Sequence, residues 1–391
     1  MEKLKKFNTK EEYQEWKDSD DYSYPNVCKV ADEIVYNDYP DYFWIEALED
    51  VEVRLTNSSA TKYYGSYSFD HINWMNSTTP IIVRTGNKVY VKSTDGEGEP
   101  CYVKVSGKHN IGGSIISLTW GDDYLNRKYF NSKYAESQLF KSCENIINAK
   151  DLVLGEEFSP NSSAAYSPLK HLFEGAVNMI TAPKLIKAPL LSGCYYGTFK
   201  NCASLKKSPT IYGDYSGSGY HYDCSEMFKG CSNLSYIKYM GVSAFTKEGT
   251  DQSYQGWSYK WVSGVSPTGT FIANSKRTDF TRGDSGIPLG WDIYLYDVDN
   301  DRYVVKFNVN GIPYEYYTDE PKDITWNEFI NSEYNTNGFT AQQEDGETAK
   351  TIKFGDNYVL LSGNKVLITD KVILNVSYTI GQPTQTTTEE E

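Results

Sequence analysis

The stretch FKGCSNL, residues 228–234, decides the fold because it recurs three times earlier in the chain. The aligned copies are FKSCENI at 140–146, FEGAVNM at 173–179 and FKNCASL at 199–205. Each copy has Phe, a charged residue, a small residue, Cys or Ala, any residue, Asn or Ser, and then a long aliphatic residue. The pattern predicts a solenoid whose unit is a short helical turn followed by an extended segment, because one unit alone cannot bury its apolar side.

The spacing of the copies adds detail to this prediction. The four Phe residues are 33, 26 and 29 residues apart, near or slightly above the roughly 20–29 residues of a leucine-rich repeat. Uneven spacing indicates loops of different length that leave one rim of the solenoid.

The segments that flank the repeats have other patterns. Short β-branched segments between turn residues predict a β-sandwich before the repeats, and a strand–strand–helix–strand–strand pattern with a capping box at Thr325–Glu328 predicts an α+β module after them. The first 36 residues carry too little apolar material for a core of their own, so we expect them to dock onto another structure. The predicted fold is therefore multidomain and mostly β, with these parts: a docking segment at 1–36, a β-sandwich at 37–120, a solenoid with a terminal cap at 121–295, a ββαββ module at 296–381 and a disordered tail at 382–391.

Composition excludes several classes of function. The chain has 52 acidic and 38 basic residues and a formal net charge of −14, without basic clusters, which argues against binding nucleic acid or an anionic membrane. No apolar run is long enough to span a bilayer, and no apolar segment follows the N-terminal charges as in a signal peptide. Seven Cys without a CxxC pair are typical of reduced thiols, so we expect synthesis in a cytoplasm.

The repeat region resembles the BspA-like leucine-rich repeats. The motifs that carry the resemblance are MFKGCSNL at 227–234, TFKNCASL at 198–205, and the closing segments WVSGVSPTGTFIANS and SGIPLGW. KKFNTKEEYQEW and YPNVCKV near the N-terminus are similar to the opening segment of virion proteins of crAss-like phages. The chain departs from the family in its uneven repeat spacing and in Ala176, which stands where the other copies have Cys.

The resemblance implies a head- or tail-fibre or capsid-decoration protein that sits on the phage particle and contributes to host attachment. Fibre proteins are commonly symmetric, so we expect a homo-oligomer, with a trimer favoured, and capsid or tail proteins as partners. Phe7, Tyr13 and Trp16 are the predicted assembly anchors within residues 1–36. A cell-surface adhesin with the same fold and a glycan depolymerase carried on a fibre are the alternatives.

The stretch TRGDSGIPLGW at 281–291 contains RGDS, which some adhesion receptors bind, and GDSG, which resembles the nucleophile loop of chymotrypsin-like proteases. None of the four His lies in the Ala-His-Cys context that this family requires, and Ile287 stands where a second Gly would be. A serine nucleophile needs a His base, so we interpret the stretch as a turn that closes the solenoid.

Metal and acid–base chemistry are weakly indicated. His221, Cys224 and Cys231 supply three zinc-ligand types without a fourth, and the run DVDNDR at 297–302 lacks the Gly and distal Glu of a calcium loop. Acidic pairs such as Asp122-Asp123 are expected by chance among so many carboxylates. We predict no catalytic residue, no metal and no cofactor.

Two aromatic stretches favour binding. Residues 211–223 place tyrosines in a Gly- and Ser-rich loop, and YQGWSYKW at 254–261 follows the last repeat. Aromatic side chains on loops of a rigid scaffold suit sugars or a protein partner, although packing against a neighbouring module is the open alternative. The predicted recognition residues are Tyr212, Tyr215, Tyr220, Tyr222, Trp257 and Tyr259.

Overall fold

The structure is a computed structural model of the chain. It describes residues 5–7, 12, 27–30, 33–36, 41–57, 60–94, 100–129, 139–158, 169–187, 190, 193–214, 223–245, 256–309, 312–325, 328–329, 331–336, 351–352, 358–361, 364–367 and 377–378. The described part is mostly β, as the sequence predicts.

The N-terminal part contains a small sheet of three strands: β1 Lys5–Phe7, β2 Val27–Val30 and β3 Glu33–Tyr36. Strands β2 and β3 pair antiparallel as a hairpin, and β1 pairs parallel with β2.

The next module consists of two sheets around one core. Its strands are β4 Phe43–Ala47, β5 Val51–Thr56, β6 Ser66–Ser68, β7 Met75–Asn76, β8 Ile81–Val83, β9 Lys88–Lys92, β10 Tyr102–Val105 and β11 His109–Ser114. Strands β10, β5 and β8 form one sheet, and β11, β4, β9, β6 and β7 belong to the other. Alternate residues of β5 are buried, among them Val53 and Leu55, as a sheet with one face in the core requires. A helical turn at Ser117–Trp120 and a 3-10 helix at Gly121–Asn126 end the module.

The repeats form a stack, residues 139–274, in which a turn precedes each extended segment. The strands are β12 Ile146–Val153, β13 Lys207–Ile211, β14 Tyr236–Tyr239 and β15 Gly269–Asn274. Strand β12 pairs parallel with β11 and so joins the sheet of the preceding module that contains β11, β4, β9, β6 and β7. Strands β13, β14 and β15 pair parallel in order.

Proline separates these two groups of strands. The second extended segment contains Pro183 and is bonded to β12 only through an isolated bridge between Asn148 and Thr181. Pro209 lies inside β13, and the pairing register with β14 shifts between Lys207 and Thr210. Proline lacks the N–H group that a ladder needs, so the interruptions occur where the sequence places it.

The repeated phenylalanines form one continuous stack of rings. Neighbouring centroids of Phe140, Phe173, Phe199 and Phe228 lie 5.5, 5.6 and 5.6 Å apart, and the rings are tilted by no more than 16°. All four rings are buried. Stacked rings in this range add about 0.5–1.5 kcal/mol each beyond the burial of their surface.

An aromatic residue from outside the repeat pattern covers each end of the stack. Phe43 of β4 extends it to the preceding module, with its ring 5.5 Å from that of Phe140. The buried indole of Trp261 covers Phe228 at 6.2 Å and closes the other end.

Backbone hydrogen bonds explain why the turns stack. The N–H groups of Phe173 and Gly175 donate to carbonyls of the next turn, while Ala176 donates back to Phe173 within its own turn. In the third turn, 193–200, and the fourth, 223–230, N–H groups likewise donate alternately to the next turn and to their own turn. Buried amide groups need partners, and this arrangement supplies them without a long helix. The residue two after each Phe has a positive φ, for example 81° at Gly175 and 78° at Gly230, which favours glycine there.

The sheet of the repeats continues into the C-terminal module without a break. Strand β16 Trp291–Asp297 pairs parallel with β15 and antiparallel with β17 Arg302–Val309, which pairs with β18 Ile312–Thr318. Further short strands are β19 Ile324–Thr325, β20 Thr351–Ile352, β21 Tyr358–Leu361, β22 Asn364–Leu367 and β23 Ser377–Tyr378. Of the helix predicted after Thr325, the described residues show only Glu328 and Phe329 as helical, and Thr325 itself lies in β19. Among the described residues, no helix has the length and apolar character needed to cross a bilayer.

Candidate binding face

The inside of the stack is filled and offers no reactive thiol. The Sγ atom of Cys202 donates to the carbonyl of Phe173 at 3.2 Å, and that of Cys231 donates to the carbonyl of Phe199 at 3.0 Å. Burial raises the pKa of Cys231 to about 12 and that of the half-buried Cys143 to about 11. A thiol with such a pKa is neither a nucleophile nor a ready metal ligand.

The three residues considered as zinc ligands are not brought together in the described part of the chain. His221 lies outside the described residues, Cys224 and Cys231 are buried, and no group of three metal-ligating side chains occurs among the residues that the structure describes.

The RGDS segment closes the stack. The backbone N–H of Val262 donates to the carbonyl of Asp284, and the N–H of Lys260 donates to Oγ of Ser285 at 3.0 Å. The indole N–H of Trp261 donates to the carbonyl of Gly286 at 2.7 Å. Ser285 is buried with its hydroxyl oxygen accepting from backbone, so its environment is that of a capping turn. Arg282 likewise donates to two carbonyls, those of Pro288 and Trp291.

The outward side of the sheet carries pairs of lysine and tyrosine. The ammonium groups lie over the rings of tyrosines further along the stack: Lys187 is 5.2 Å from the ring centroid of Tyr212, Lys207 is 5.6 Å from Tyr236, and Lys238 is 4.1 Å from Tyr296. We call these six residues the lysine–tyrosine face. A cation over an aromatic ring contributes about 0.5–1 kcal/mol at an exposed site, so the pairs hold their side chains in defined positions.

Strand register places four members of this face on one side of the sheet, namely Lys207, Tyr236, Lys238 and Tyr296, whereas Lys187 and Tyr212 lie outside the strands. Tyr236 and Lys238 alternate with the buried Ile237 and Tyr239, which point into the core. Lys207 is the registered partner of Tyr236 on the neighbouring strand. The row of Lys238 continues through Ile272 of β15.

Further tyrosines extend the face toward β17. Tyr294 and Tyr296 of β16 alternate with the buried Ile293 and Leu295. The ring of Tyr296 meets that of Tyr303 edge to face at 5.1 Å, and its hydroxyl donates to Asp301. Burial, with smaller contributions from Asp323 and Asp292, raises the pKa of Tyr294. The phenol of Tyr294 therefore remains a protonated donor at neutral pH.

The predicted recognition residues lie in different environments, and three of them are not described. Tyr212 is half-buried and belongs to the lysine–tyrosine face, and Tyr259 is half-buried on the last turn with Lys260 5.2 Å from its ring. Tyr215, Tyr220 and Tyr222 lie outside the described residues.

The expectation that Trp257 is exposed is wrong. Its indole is 4 % exposed, donates to the carbonyl of Ala244 at 2.6 Å and packs between Tyr239 and Phe245. The stretch 257–264 is a fifth turn of the stack and not a loop beyond it, because Phe228 and Gly230 donate to its carbonyls as earlier turns do to theirs. Trp257 is a core residue of this turn.

A buried arginine fixes the closing part of the stack. The guanidinium of Arg277 lies 3.8 Å from the ring centroid of Phe245, and donates to the carbonyls of Asp279 and Gly241. The side chain is fully buried, and its hydrogen bonds join the segment of Arg277 and Asp279 to the segment of Gly241.

The anchor prediction stays untested. Phe7 lies in β1 with only its backbone described, and Tyr13 and Trp16 lie outside the described residues.

The acidic groups considered for catalysis or calcium already have partners. Asp122 accepts from Tyr42 and Lys92, and Asp123 accepts from Asn126 and Arg127. Asp297 accepts from Asn300 and from the hydroxyl of Tyr317, contacts that use the oxygens a calcium ion would need.

One buried carboxyl group has a hydrogen-bond partner for only one of its two oxygens among the described residues. Asp223 is fully buried at the start of the fourth turn, where its Oδ1 accepts from the N–H of Gly193 at 3.3 Å. Its Oδ2 has no hydrogen-bond partner in the part of the chain that the structure describes. Burial raises the pKa of Asp223 to about 7, and the Gly193 N–H opposes this only in part.

Sequence reasoning missed most of the lysine–tyrosine face. The signal is present in WDIYLYD at 291–297, where Trp, Ile and Leu alternate with Asp and two Tyr. A strand with this alternation has an exposed aromatic side. The sequence does not predict the pairing of these tyrosines with lysines, because the pairing depends on which strands of the stack become neighbours.

No family model, curated protein or solved structure matches this chain.

Proposed function

We propose that this chain is a non-enzymatic structural protein of a phage particle, a head- or tail-fibre or decoration component that attaches to glycan on the host surface. In this proposal residues 121–295 are a BspA-like leucine-rich-repeat solenoid with its cap, and residues 1–36 dock to the capsid or tail. The observation that carries the attachment function is the lysine–tyrosine face on a sheet whose other side is filled core.

Physical chemistry supports recognition at this face. Tyrosine rings offer flat apolar area for the C–H faces of a sugar, and their hydroxyls bond its hydroxyl groups. Parallel strands hold Tyr236 and Lys238 at fixed spacing, so little side-chain freedom is lost when a ligand binds.

The non-enzymatic part of the proposal rests on the partners of the candidate groups. Ser285 accepts from backbone, the solenoid thiols have raised pKa values, and Asp122 and Asp123 are each paired. A glycan depolymerase would need two carboxylates with opposed environments at the bound sugar.

Location is tested by immunogold labelling of intact particles and of host cells with an antibody to this chain. Label on the particle surface is expected, and label on the bacterial envelope of uninfected cells would instead establish the adhesin alternative. Particles that still incorporate a chain without residues 1–36 would show that the anchor assignment is wrong.

Attachment is tested by binding of the purified full chain to host capsule. We expect binding that Tyr236→Ala and Tyr296→Ala together weaken, because each removes a ring of the face. New reducing ends in the capsule after incubation would contradict the non-enzymatic proposal.

A further inference from the structure

Asp223 places a carboxyl group inside the stack, between its third and fourth turns. The side chain is fully buried, its Oδ1 accepts from the N–H of Gly193 at 3.3 Å, and its Oδ2 has no hydrogen-bond partner among the described residues. A buried carboxylate is stable only when several donors or a cation compensate its charge, and one long hydrogen bond does not do so. The closed stack therefore favours the protonated form of Asp223.

The groups that pack around this carboxyl supply no positive charge. The third turn contributes Cys194, whose Sγ donates to the backbone carbonyl of Asp223 at 3.8 Å, and Tyr195, whose N–H donates to the same carbonyl at 2.7 Å. The fourth turn contributes Cys224, whose N–H donates to the carbonyl of Trp257 in the fifth turn. Burial raises the pKa of Asp223 to about 7, and no lysine, arginine or histidine among the described residues lowers it.

The charged side chains of these two turns pair with one another away from Asp223. The two carboxylate oxygens of Glu226 lie 2.6 Å from the Nζ atoms of Lys200 and Lys229. These three side chains are partly exposed, whereas that of Asp223 is fully buried. None of them contributes to the pKa of Asp223, so its carboxylate has no described cation with which to pair.

The contact between the third and fourth turns has two parts. In the first part, residues 193–195 lie against residues 223–224 through the hydrogen bonds of Asp223. In the second part, the N–H of Phe199 donates to the carbonyl of Met227 at 3.0 Å, and the ring of Phe199 stacks on that of Phe228 at 5.6 Å. Four fully buried thiols mark the two parts: Cys194 and Cys224 in the first, and Cys202 and Cys231 just after the rings of the second.

We propose that the first part of this contact is a pH-sensitive switch. When Asp223 loses its proton to solvent, residues 193–195 separate from residues 223–224 and water reaches the carboxylate, whereas the stack of phenylalanine rings stays closed. The pKa of Asp223 is about 7 in the closed form and returns toward 3.8 when water solvates the group, so the closed form binds more protons. Closing is therefore strongest at low pH and weakens as the pH rises from 3.8 through about 7. The switch requires no ligand, so it can be tested apart from the proposed attachment function.

The test measures the reactivity of the four thiols in the full chain with methyl methanethiosulfonate, resolved by peptide mass spectrometry. Each rate is divided by that of the urea-unfolded chain at the same pH, which removes the effect of pH on the reagent and gives the protection of each thiol. Between pH 5 and pH 8 the protection of Cys194 and Cys224 is expected to fall at least about tenfold, because the two forms differ in the pKa of Asp223. At pH 8 it should also be at least about tenfold lower than that of Cys202 and Cys231, which only a wider opening exposes.

The natural chain alone can overturn the proposal. Equal protection of all four thiols at pH 8 would show that the stack opens as a whole. Protection of Cys194 and Cys224 that does not change with pH would show that deprotonation opens nothing.

Two further variants and one control identify the group that titrates. Asp223→Asn keeps the shape of the side chain without its charge, so the protection of Cys194 and Cys224 should change less than about twofold between pH 5 and pH 8. Asp292→Asn, at an exposed position, is the matched control and should retain the fall. His221 precedes Asp223 and lies outside the described residues. A fall that persists in Asp223→Asn would overturn the proposal, and its disappearance in His221→Gln would then assign the titration to that residue.

Discussion

Two sets of aromatic side chains run along the same repeats, and they differ in what fixes their positions. The phenylalanines are 33, 26 and 29 residues apart in the chain, yet their rings are 5.5 to 5.6 Å apart in space. The tyrosines of the lysine–tyrosine face have no sequence period, and their distances to lysine range from 4.1 to 5.6 Å. Close packing forces the interior to repeat, whereas the exterior can change residue by residue without disturbing it.

This comparison has a consequence for repeat length. The unequal numbers of residues between one Phe and the next leave the distance between their rings unchanged. The turn itself has no such freedom, since each alternate N–H must meet the neighbouring turn's carbonyl. Function can therefore be placed on the outward side at little cost to the fold.

The largest effect is expected from Phe199→Ala. The ring is buried between those of Phe173 and Phe228, and its removal leaves a cavity in the middle of the stack. We expect the free energy of unfolding to fall by about 3–5 kcal/mol, measured by urea denaturation. Tyr236→Ala is the matched control from the face and should lose less than about 1 kcal/mol. Equal losses would remove the distinction between the two sets.

The next effect depends on pH. The pKa of Asp223 is raised from 3.8 to about 7 in the fold, so the folded state binds more protons than the unfolded state between these values. The contribution of Asp223 to stability is therefore greatest at low pH and is lost as the pH rises from 3.8 through about 7. At pH 8 Asp223→Asn should be more stable than the natural chain by up to about 4 kcal/mol, because each pKa unit corresponds to about 1.4 kcal/mol.

The measurement is the urea midpoint of both proteins across pH 4 to pH 8. Their difference should grow with pH, and the exposed Asp292→Asn should leave the natural slope in place. A difference that does not vary with pH would show that Asp223 is not protonated in the fold.

A smaller effect is expected where the stack closes. Ser285→Ala removes the Oγ atom that accepts from the Lys260 N–H and leaves the backbone of the turn in place. The cost should be about 1–2 kcal/mol in thermal or urea unfolding, as for a buried backbone group that loses its partner. No change would indicate that the other bonds of the closing turn, among them those of Trp261 to Gly286 and of Val262 to Asp284, hold it without the Ser285 hydroxyl.

The smallest effect on stability is expected on the face itself. Lys207→Gln with Lys238→Gln should change the free energy of unfolding by less than about 0.5 kcal/mol, since both side chains lie at the surface over single rings. A larger loss would mean that the lysine–tyrosine pairs are part of the core structure.

The sequence predicts the interior better than the exterior, for a physical reason. Phe140, Phe173, Phe199 and Phe228 align because each must fill the same position of a stacked turn. The fifth turn does not match this pattern. Val262 occupies the position that Phe has in the other turns, and Trp261 covers the ring of Phe228. Phe43 escapes it too, because it joins the stack from another module.

The candidate site was the harder part to predict. Tyr212 was identified from its loop composition, but Trp257 was misassigned because an aromatic residue beside Gly and Ser has no sequence mark of burial. The pairs of Lys207 with Tyr236 and of Lys238 with Tyr296 join residues that lie 29 and 58 positions apart. These residues become neighbours only because the repeats stack, and the spacing of the repeats in the sequence does not determine which side chains come into contact.

The central claim is that the interior stack holds the fold and the outward face carries recognition, and a crossed comparison tests it most directly. Urea unfolding and binding to host capsule are measured for Phe199→Ala and for Lys207→Gln with Lys238→Gln. The first variant should lose about 3–5 kcal/mol of stability and keep its affinity under conditions where it remains folded. The second should keep its stability within about 0.5 kcal/mol and lose affinity. Loss of both properties in both variants would contradict the claim.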